Sequence, residues 1–585
     1  MHRLTASQEE QSDPLCLANA PPESYPRFFF WCAVLLLGLL DAWARRNEMN
    51  PDGISYIEIG WATARGGLHQ VVNAYWSPLY PFLLSLVFRW LHPAVQWEFT
   101  AAHLLNLALY VASFAAFELF LKELILRRQT ARESSERFSP ASPRTLWIWA
   151  CVFFLWASYF WLGPGWVTPD MCIAVLVYLA TALLFCIRRG GGNWLVFAGL
   201  GVLLGLGYLA KAAMFPLAFV FLFSAFCLGR MAGATFPAAA FRTLLAAGMF
   251  AGLALPLVVA LSAAKGRPTF GDVGRIGYAE FINRATRSVH WQGEPPGTGT
   301  PLHASRQIFS DPGVFEFSSP VPGSYPLWYD PSYWYDGVRA HFEWKGQLRA
   351  LFRSANMYLK VFSKSGALWV VLVAILVVRK KLLGWGRTSP GAWLVFLPAL
   401  AALVMYSVVL VEFRYIAPFA LILMMWALSR IQIATGAEPQ LLRRFHLLVI
   451  LVPGLAVAWG VARDLCGVAR NQPLEPWVVA QQLHAMGILA GADVGCIGTC
   501  LDAYWAHLAG VRVVAEIPDQ ERSRFIAAGA EKKQQVLALF SSVGARAIVT
   551  RNAEAVDAAE GWRPIPGTHH FIWMQPWLIA APQKK

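Results

Sequence analysis

The chain has 585 residues, 57% hydrophobic and 14% charged, with a mean hydropathy of +0.45. That leaves too little polar surface to cover a soluble globule of this size, so the composition excludes one and points to an α-helical polytopic membrane protein. The formal charge of +14 is no sign of nucleic-acid binding, because Lys and Arg gather in short clusters between apolar runs, as they do in cytoplasmic loops.

Residues 1–26 contain Glu9, Glu10 and Asp13 and no basic stretch leading into an apolar core. They read as a disordered cytoplasmic tail, not as a signal peptide. Apolar runs follow at 27–44, 98–124, 146–163, 171–187, 194–210, 212–229, 243–264, 365–379, 391–411, 415–431 and 445–463, which predicts about 11 transmembrane helices. A further run, 77–92, is short and holds Pro78, Pro81 and Arg89. The clusters Arg127/Arg128/Arg132, Arg188/Arg189, Arg230/Arg242, Arg379/Lys380/Lys381 and Arg443/Arg444 share the cytoplasmic side only if 77–92 does not cross. It is therefore expected to be a juxtamembrane helix.

On that topology the outer face of the inner (plasma) membrane receives the first outer loop 45–97, loop 164–170, the turn at Lys211, the long outer loop 265–363, the turn at 412–414 and everything after 464. The expected organisation is an N-terminal transmembrane module, 27–264, then the long loop, C-terminal transmembrane helices over 364–463 and a soluble α/β domain over 476–585. In that last segment 493–497, 511–515 and 545–549 read as buried strands. No GxGxxG or GxxxxGK[ST] accompanies them, so nucleotide binding has no support there. Cys496 and Cys500 are close enough in sequence to suggest a disulfide.

The candidate chemistry lies in the outer segments. Asp52 follows Pro51 and precedes a short amphipathic stretch, where it could simply cap a helix. Asp170 follows Pro169 just before a span, with the same bland reading. Two Pro-Asp pairs on one face can also converge on one polar cavity, where carboxylates at membrane depth mark function. Lys211 stands between two apolar spans and could be a snorkelling lysine. Arg414 has Glu412 as a near neighbour to pair with, yet a Lys and an Arg on one face also suit a lipid phosphate. In the long loop, Phe270-Gly271-Asp272, His290-Trp291 and the aromatic stretch Tyr325 to Asp336, with Tyr329 and Asp330 inside it, offer sugar-stacking faces beside polar groups. The alternative for these is packing against the loop itself or the bilayer interface. No metal-spaced His/Cys cluster and no GxSxG elbow occurs; a divalent cation held by carboxylates is compatible with the sequence but not called for.

Pro51-Asp52-x-x-x-Tyr56-x-x-Ile59, Ser77-Pro78-Leu79, Pro169-Asp170, Leu209-Ala210-Lys211 and Arg414-Tyr415, in this order, resemble the GT-C membrane glycosyltransferases, in particular glycosyltransferase family 39, which includes protein O-mannosyltransferases and aminoarabinose transferases. The resemblance covers 27–230 and, more loosely, the later spans. It implies a GT-C-like fold and transfer of a sugar from a polyprenyl-phosphate donor to a lipid, glycan or protein acceptor in the cell envelope, with membrane lipid as surroundings. It implies Asp52 as catalytic base with inversion, Asp170 as a second catalytic acid, and Lys211 and Arg414 on the donor phosphate. Tyr56, His290, Trp291, Tyr329 and Asp330 are candidate acceptor or sugar contacts. Many relatives carry a second acid after the first-loop Asp, where this chain has Gly53, and the final α/β domain has no counterpart in the resemblance. The alternative function is a transporter or flippase of a lipid-linked or polar solute. No internal repeat is evident, and the polar candidates gather at one surface, not at mid-span.

Overall fold

The computed structural model describes residues 26–130, 138–285, 305–317, 321, 323–329, 339–364, 371, 383–385, 391–469, 474–551 and 560–575. Seven helices are long and apolar enough to cross a membrane: α1 (Arg27–Ala44), α4 (Glu98–Thr130), α5 (Pro143–Ala157, prolonged to Leu162), α6 (Asp170–Cys186), α8 (Met214–Met231), α9 (Phe236–Lys265) and the helix Pro439–Ala469. Three apolar helices are shorter, at 17 residues each: α7 (Trp194–Ala210), Trp393–Val409 and Phe413–Ser429. The protein is an integral membrane protein. The expected run 365–379 falls almost wholly outside the described residues.

Seventeen residues rise only ~25 Å, against a hydrocarbon core of ~30 Å. α7 stops immediately before Lys211, and Phe413–Ser429 begins one residue before Arg414. Both cations therefore sit at helix ends, Lys211 just after α7 and Arg414 in the first turn of Phe413–Ser429.

Two short helices pack against the bundle beside these ends. α2 (Pro51–Gly66) and α3 (Leu79–Leu91) pack together through Ile54, Ile57, Tyr80, Leu84 and Phe88. α3 has 13 residues, a rise of ~20 Å, too short to cross. The first turn of α2 differs from the sequence expectation: Asp52 is not the cap. Pro occupies the first helical position, as it prefers, so Asn50 takes the N-cap position with extended backbone and Asp52 lies inside the first turn. The Asn50 side chain caps nothing; its Oδ1 accepts from the Val167 N–H at 3.0 Å.

The second layer is a seven-stranded sheet, in spatial order β1-β2-β4-β3-β5-β7-β6. The strands are β1 (Ser305–Ser310), β2 (Gly313–Phe317), β3 (Asp493–Gly498), β4 (Arg512–Pro518), β5 (Ala547–Thr550), β6 (Arg563–Pro564) and β7 (Phe571–Met574). β3 pairs in parallel with β4 on one side and β5 on the other, with helices between them, a doubly wound core. The long segment after α9 is not separate from this sheet. Its hairpin adds two antiparallel strands at the β4 edge, pairing Phe315 with Glu516 and Glu316 with Ala515. One apolar cluster contains α2 and α3 residues together with Val479, Val494 and Trp505, so the sheet is seated on α2 and α3.

Candidate active site

Four segments far apart in sequence bring two carboxylates and two cations together. Lys211 Nζ donates to Asp170 Oδ1 at 2.6 Å. Arg414 Nη2 donates to Asp52 Oδ2 at 2.7 Å, and its Nη1 lies 3.6 Å from Asp170 Oδ2. Asp170 is the hub: its side chain is 4% exposed, it faces both cations, and it also accepts from Thr168 Oγ1 at 3.0 Å. Asp52 is the accessible member, its side chain 37% exposed. Lys211 does not snorkel to the surface. It turns inward, with Nζ 3.5 Å from the centroid of the Tyr415 ring, and Arg414 pairs with Asp52 and Asp170, not with Glu412.

Local chemistry fixes each loop. Asn106 of α4 accepts from the Tyr80 hydroxyl at 2.7 Å and donates to the carbonyls of Pro164 and Trp166, holding the turn before Asp170. Ser77 Oγ accepts from the Ala212 N–H at 3.1 Å, so the Ser77-Pro78-Leu79 motif anchors the Lys211 turn. Gly53 is required by contact: a Cβ there would stand 2.8 Å from Val167 Cβ and 2.6 Å from Met49 Sδ. No second acid fits beside Asp52, because that face of α2 is pressed against the loop carrying Asp170.

Tyr56, one turn after Asp52, is 6% exposed and packs edge-on against Trp76 and Tyr80. Burial pushes its hydroxyl well above the ordinary phenol range, which keeps it protonated. His290, Trp291 and Asp330 lie outside the described residues, as does the side chain of Tyr329. The aromatic residues that are described pack inward: Tyr325 donates to Glu516 Oε2 at 2.6 Å, and Trp328 Nε1 donates to the Leu501 carbonyl. Asp272 is taken up by ion pairs with the Arg267 and Arg275 side chains at the start of α10 (Val273–Phe281). Among the described residues no group of His, Cys, Asp and Glu is arranged to hold a metal ion.

One polar cluster was not legible in the sequence. His507 of the final domain places Nδ1 2.8 Å from Glu58 Oε1 and Nε2 2.6 Å from Glu98 Oε2. The carboxylates take opposite ring nitrogens, so they clamp the ring and leave no shared point for a metal. Burial alone lowers a histidine pKa, but here the charge of Glu98 and the hydrogen bonds outweigh it and raise His507 to about 10. Burial likewise raises Glu58, and the hydrogen bonds from His507 and the Ser324 N–H reverse this, leaving it below its ordinary value. The imidazolium ties the sheet to α2 and α4.

The membrane helices, the two short helices α2 and α3 and the docked sheet form a fold shared with solved structures. The chain is similar to ArnT from Cupriavidus metallidurans. The apo crystal structure aligns at a TM-score of 0.53 and 12% identity, over 95% of this chain and 99% of that one. The structure bound to undecaprenyl phosphate aligns at 0.51 and 13%, with the same coverage. No protein-family model matches the chain, and neither does any curated protein. The likeness is one of fold.

Proposed function

We propose that the protein transfers one sugar from a polyprenyl-phosphate donor to an acceptor hydroxyl, at the outer face of the membrane and with inversion at the anomeric carbon. The observation that carries this reading is the convergence of Lys211 and Arg414 with one buried and one accessible carboxylate. The fold shared with a protein crystallised with undecaprenyl phosphate supports the donor class. The Cys496–Cys500 disulfide supports the outer side, since such bonds persist in oxidising compartments.

Each residue then has a role. The donor phosphate meets Lys211 and Arg414, which neutralise the charge that develops as the C1–O bond breaks. Arg414 pairs with Asp52, so a phosphate arriving there competes for the guanidinium and releases the carboxylate. The acceptor oxygen attacks C1, its proton passes to Asp52, and the lipid phosphate leaves. Asp170 stays buried between the cations as a positioning residue. The sheet and helices α2 and α3 limit water, the competing nucleophile.

The test is transfer from a labelled undecaprenyl-phosphate sugar in proteoliposomes, alongside binding of undecaprenyl phosphate. Arg414→Ala and Lys211→Ala are expected to weaken lipid-phosphate binding roughly tenfold or more, since each removes a charge-assisted contact. Unchanged binding in both variants sinks the phosphate assignment. Movement of labelled lipid across the bilayer without cleavage supports a flippase instead.

A further inference from the structure

The doubly wound core has a polar recess of its own. The chain passes from β3 to β4 on one side and then crosses from β4 to β5 on the other side of β3, so the strand order reverses at β3, and open α/β sheets bind ligands at the carboxyl ends of strands at such a point. A cavity of ≈ 270 Å³ lies there, lined by the ends of β3 and β5, by the turn 499–505, by Glu475, by Arg551 and by His570. It lies just below the range of about 300–1,000 Å³ usual for drug-sized ligands, a size that limits it to one sugar unit. The rim is built. Gly498, with φ +97°, lets the chain turn out of β3, and the Cys496–Cys500 disulfide ties the turn back to the strand.

Charge selects the ligand class. Glu475 and Asp502 oppose the single Arg551, and burial pushes His570 down to about 4, leaving it neutral at pH 7. Two carboxylates against one guanidinium leave the lining at −1, which disfavours a phosphate or carboxylate ligand. What remains is a hydroxyl-rich or amine-bearing group against an aromatic wall. Tyr504 supplies that wall, and Asp502, Thr499 and Arg551 the hydrogen bonds.

The cavity is coupled to the first site. Tyr504 packs on Trp328 with ring centroids 6.0 Å apart, and Trp328 Nε1 donates to the Leu501 carbonyl in the rim. Trp76 Nε1 donates to the Trp328 carbonyl, and Trp76 packs on Tyr56, one turn from Asp52. Burial, then Asp502, raise the Tyr504 hydroxyl pKa, and the charge of Asp52 adds to the same rise, so the two sites are within electrostatic reach of one another.

We infer that this crevice is a sugar subsite that holds a non-reacting, uncharged or amine-bearing unit of a glycan acceptor while another hydroxyl of that acceptor is presented at Asp52. The second half of the statement rests on the transferase reading; the first does not. An acceptor long enough to span both sites pays less entropy at the reacting hydroxyl, because the remote unit fixes its orientation.

The experiment titrates the full-length protein in nanodiscs with cellobiose, glucosamine and glucose 6-phosphate, read by tryptophan fluorescence. Cellobiose and glucosamine are expected to saturate the signal, with glucose 6-phosphate at least ~tenfold weaker. Tyr504→Ala should weaken cellobiose roughly tenfold. Asp502→Lys takes the lining from −1 to +1 and should reverse the order of glucosamine and glucose 6-phosphate, a change that misfolding cannot produce. No saturable binding by the wild type, a wild-type preference for glucose 6-phosphate, or variants indistinguishable from wild type each overturn the subsite. Undecaprenyl phosphate binding in the same nanodiscs is the independent arm. Its insensitivity to Lys211→Ala and Arg414→Ala removes the transferase reading, and the sugar titration still decides the crevice.

Discussion

Asp52 and Asp170 are both aspartates after prolines near a helix start, and only their surroundings separate them. Asp170 is buried between two cations, whereas Asp52 is accessible and touches one. Asp170→Asn therefore leaves Lys211 and Arg414 buried with one carboxylate fewer, at a cost of about 3 kcal/mol or more. A fall in the thermal unfolding midpoint checks this, and Asp52→Asn should show a much smaller one. The sequence named these four residues because charge is rare in apolar surroundings and therefore conspicuous. It could not rank the two acids: Pro-Asp looks alike in both places, and the difference lies in neighbours 41 residues away for Asp170 and 362 for Asp52. Nor does sequence show that Arg414 passes over Glu412, since that choice depends on which way the first turn of its helix faces.

At the scale of elements, the first turn of α2 is held against the Asp170 loop by a contact that admits no side chain. Gly53→Ala should separate the two loops, because the new Cβ falls below 3 Å from Val167 Cβ. Transfer is expected to drop more than tenfold, as displacement by about 1 Å suffices for larger losses. Intact activity in Gly53→Ala would show that the loops need not touch. Helix periodicity and length made the spans readable, and two prolines with Arg89 marked α3 as a helix apart from them. The Asn50 to Val167 bond and the role of Gly53 were not readable, because a glycine in sequence carries no sign of what presses on it. The ends of α7 and Phe413–Ser429 were visible as lengths, but that they bring Lys211 and Arg414 to one carboxylate needs the neighbouring helices.

For the whole molecule, the sheet is fastened to the bundle by His507 between Glu58 of α2 and Glu98 of α4. The folded pKa of about 10 stands above the ordinary 6.5. The stabilisation is therefore complete below pH 6.5, declines as pH rises and is lost through pH 10. Protease protection of the final domain should weaken across that window, and His507→Gln should flatten the dependence while lowering protection at pH 6. The fastening pairs residues more than 400 apart. None of the three stands out in sequence, and the two strands lent by the long segment after α9 also join the sheet only in space. The α/β character of the final domain was legible because its parallel strands are continuous apolar runs.

The central claim is that Asp52 takes the acceptor's proton after the donor phosphate has engaged Arg414. Single-turnover transfer from a labelled undecaprenyl-phosphate sugar, compared between wild type and Asp52→Asn at saturating donor, tests it most directly. The rate is expected to fall by about 10²-fold or more with undecaprenyl phosphate still bound. Wild-type turnover by Asp52→Asn would contradict it.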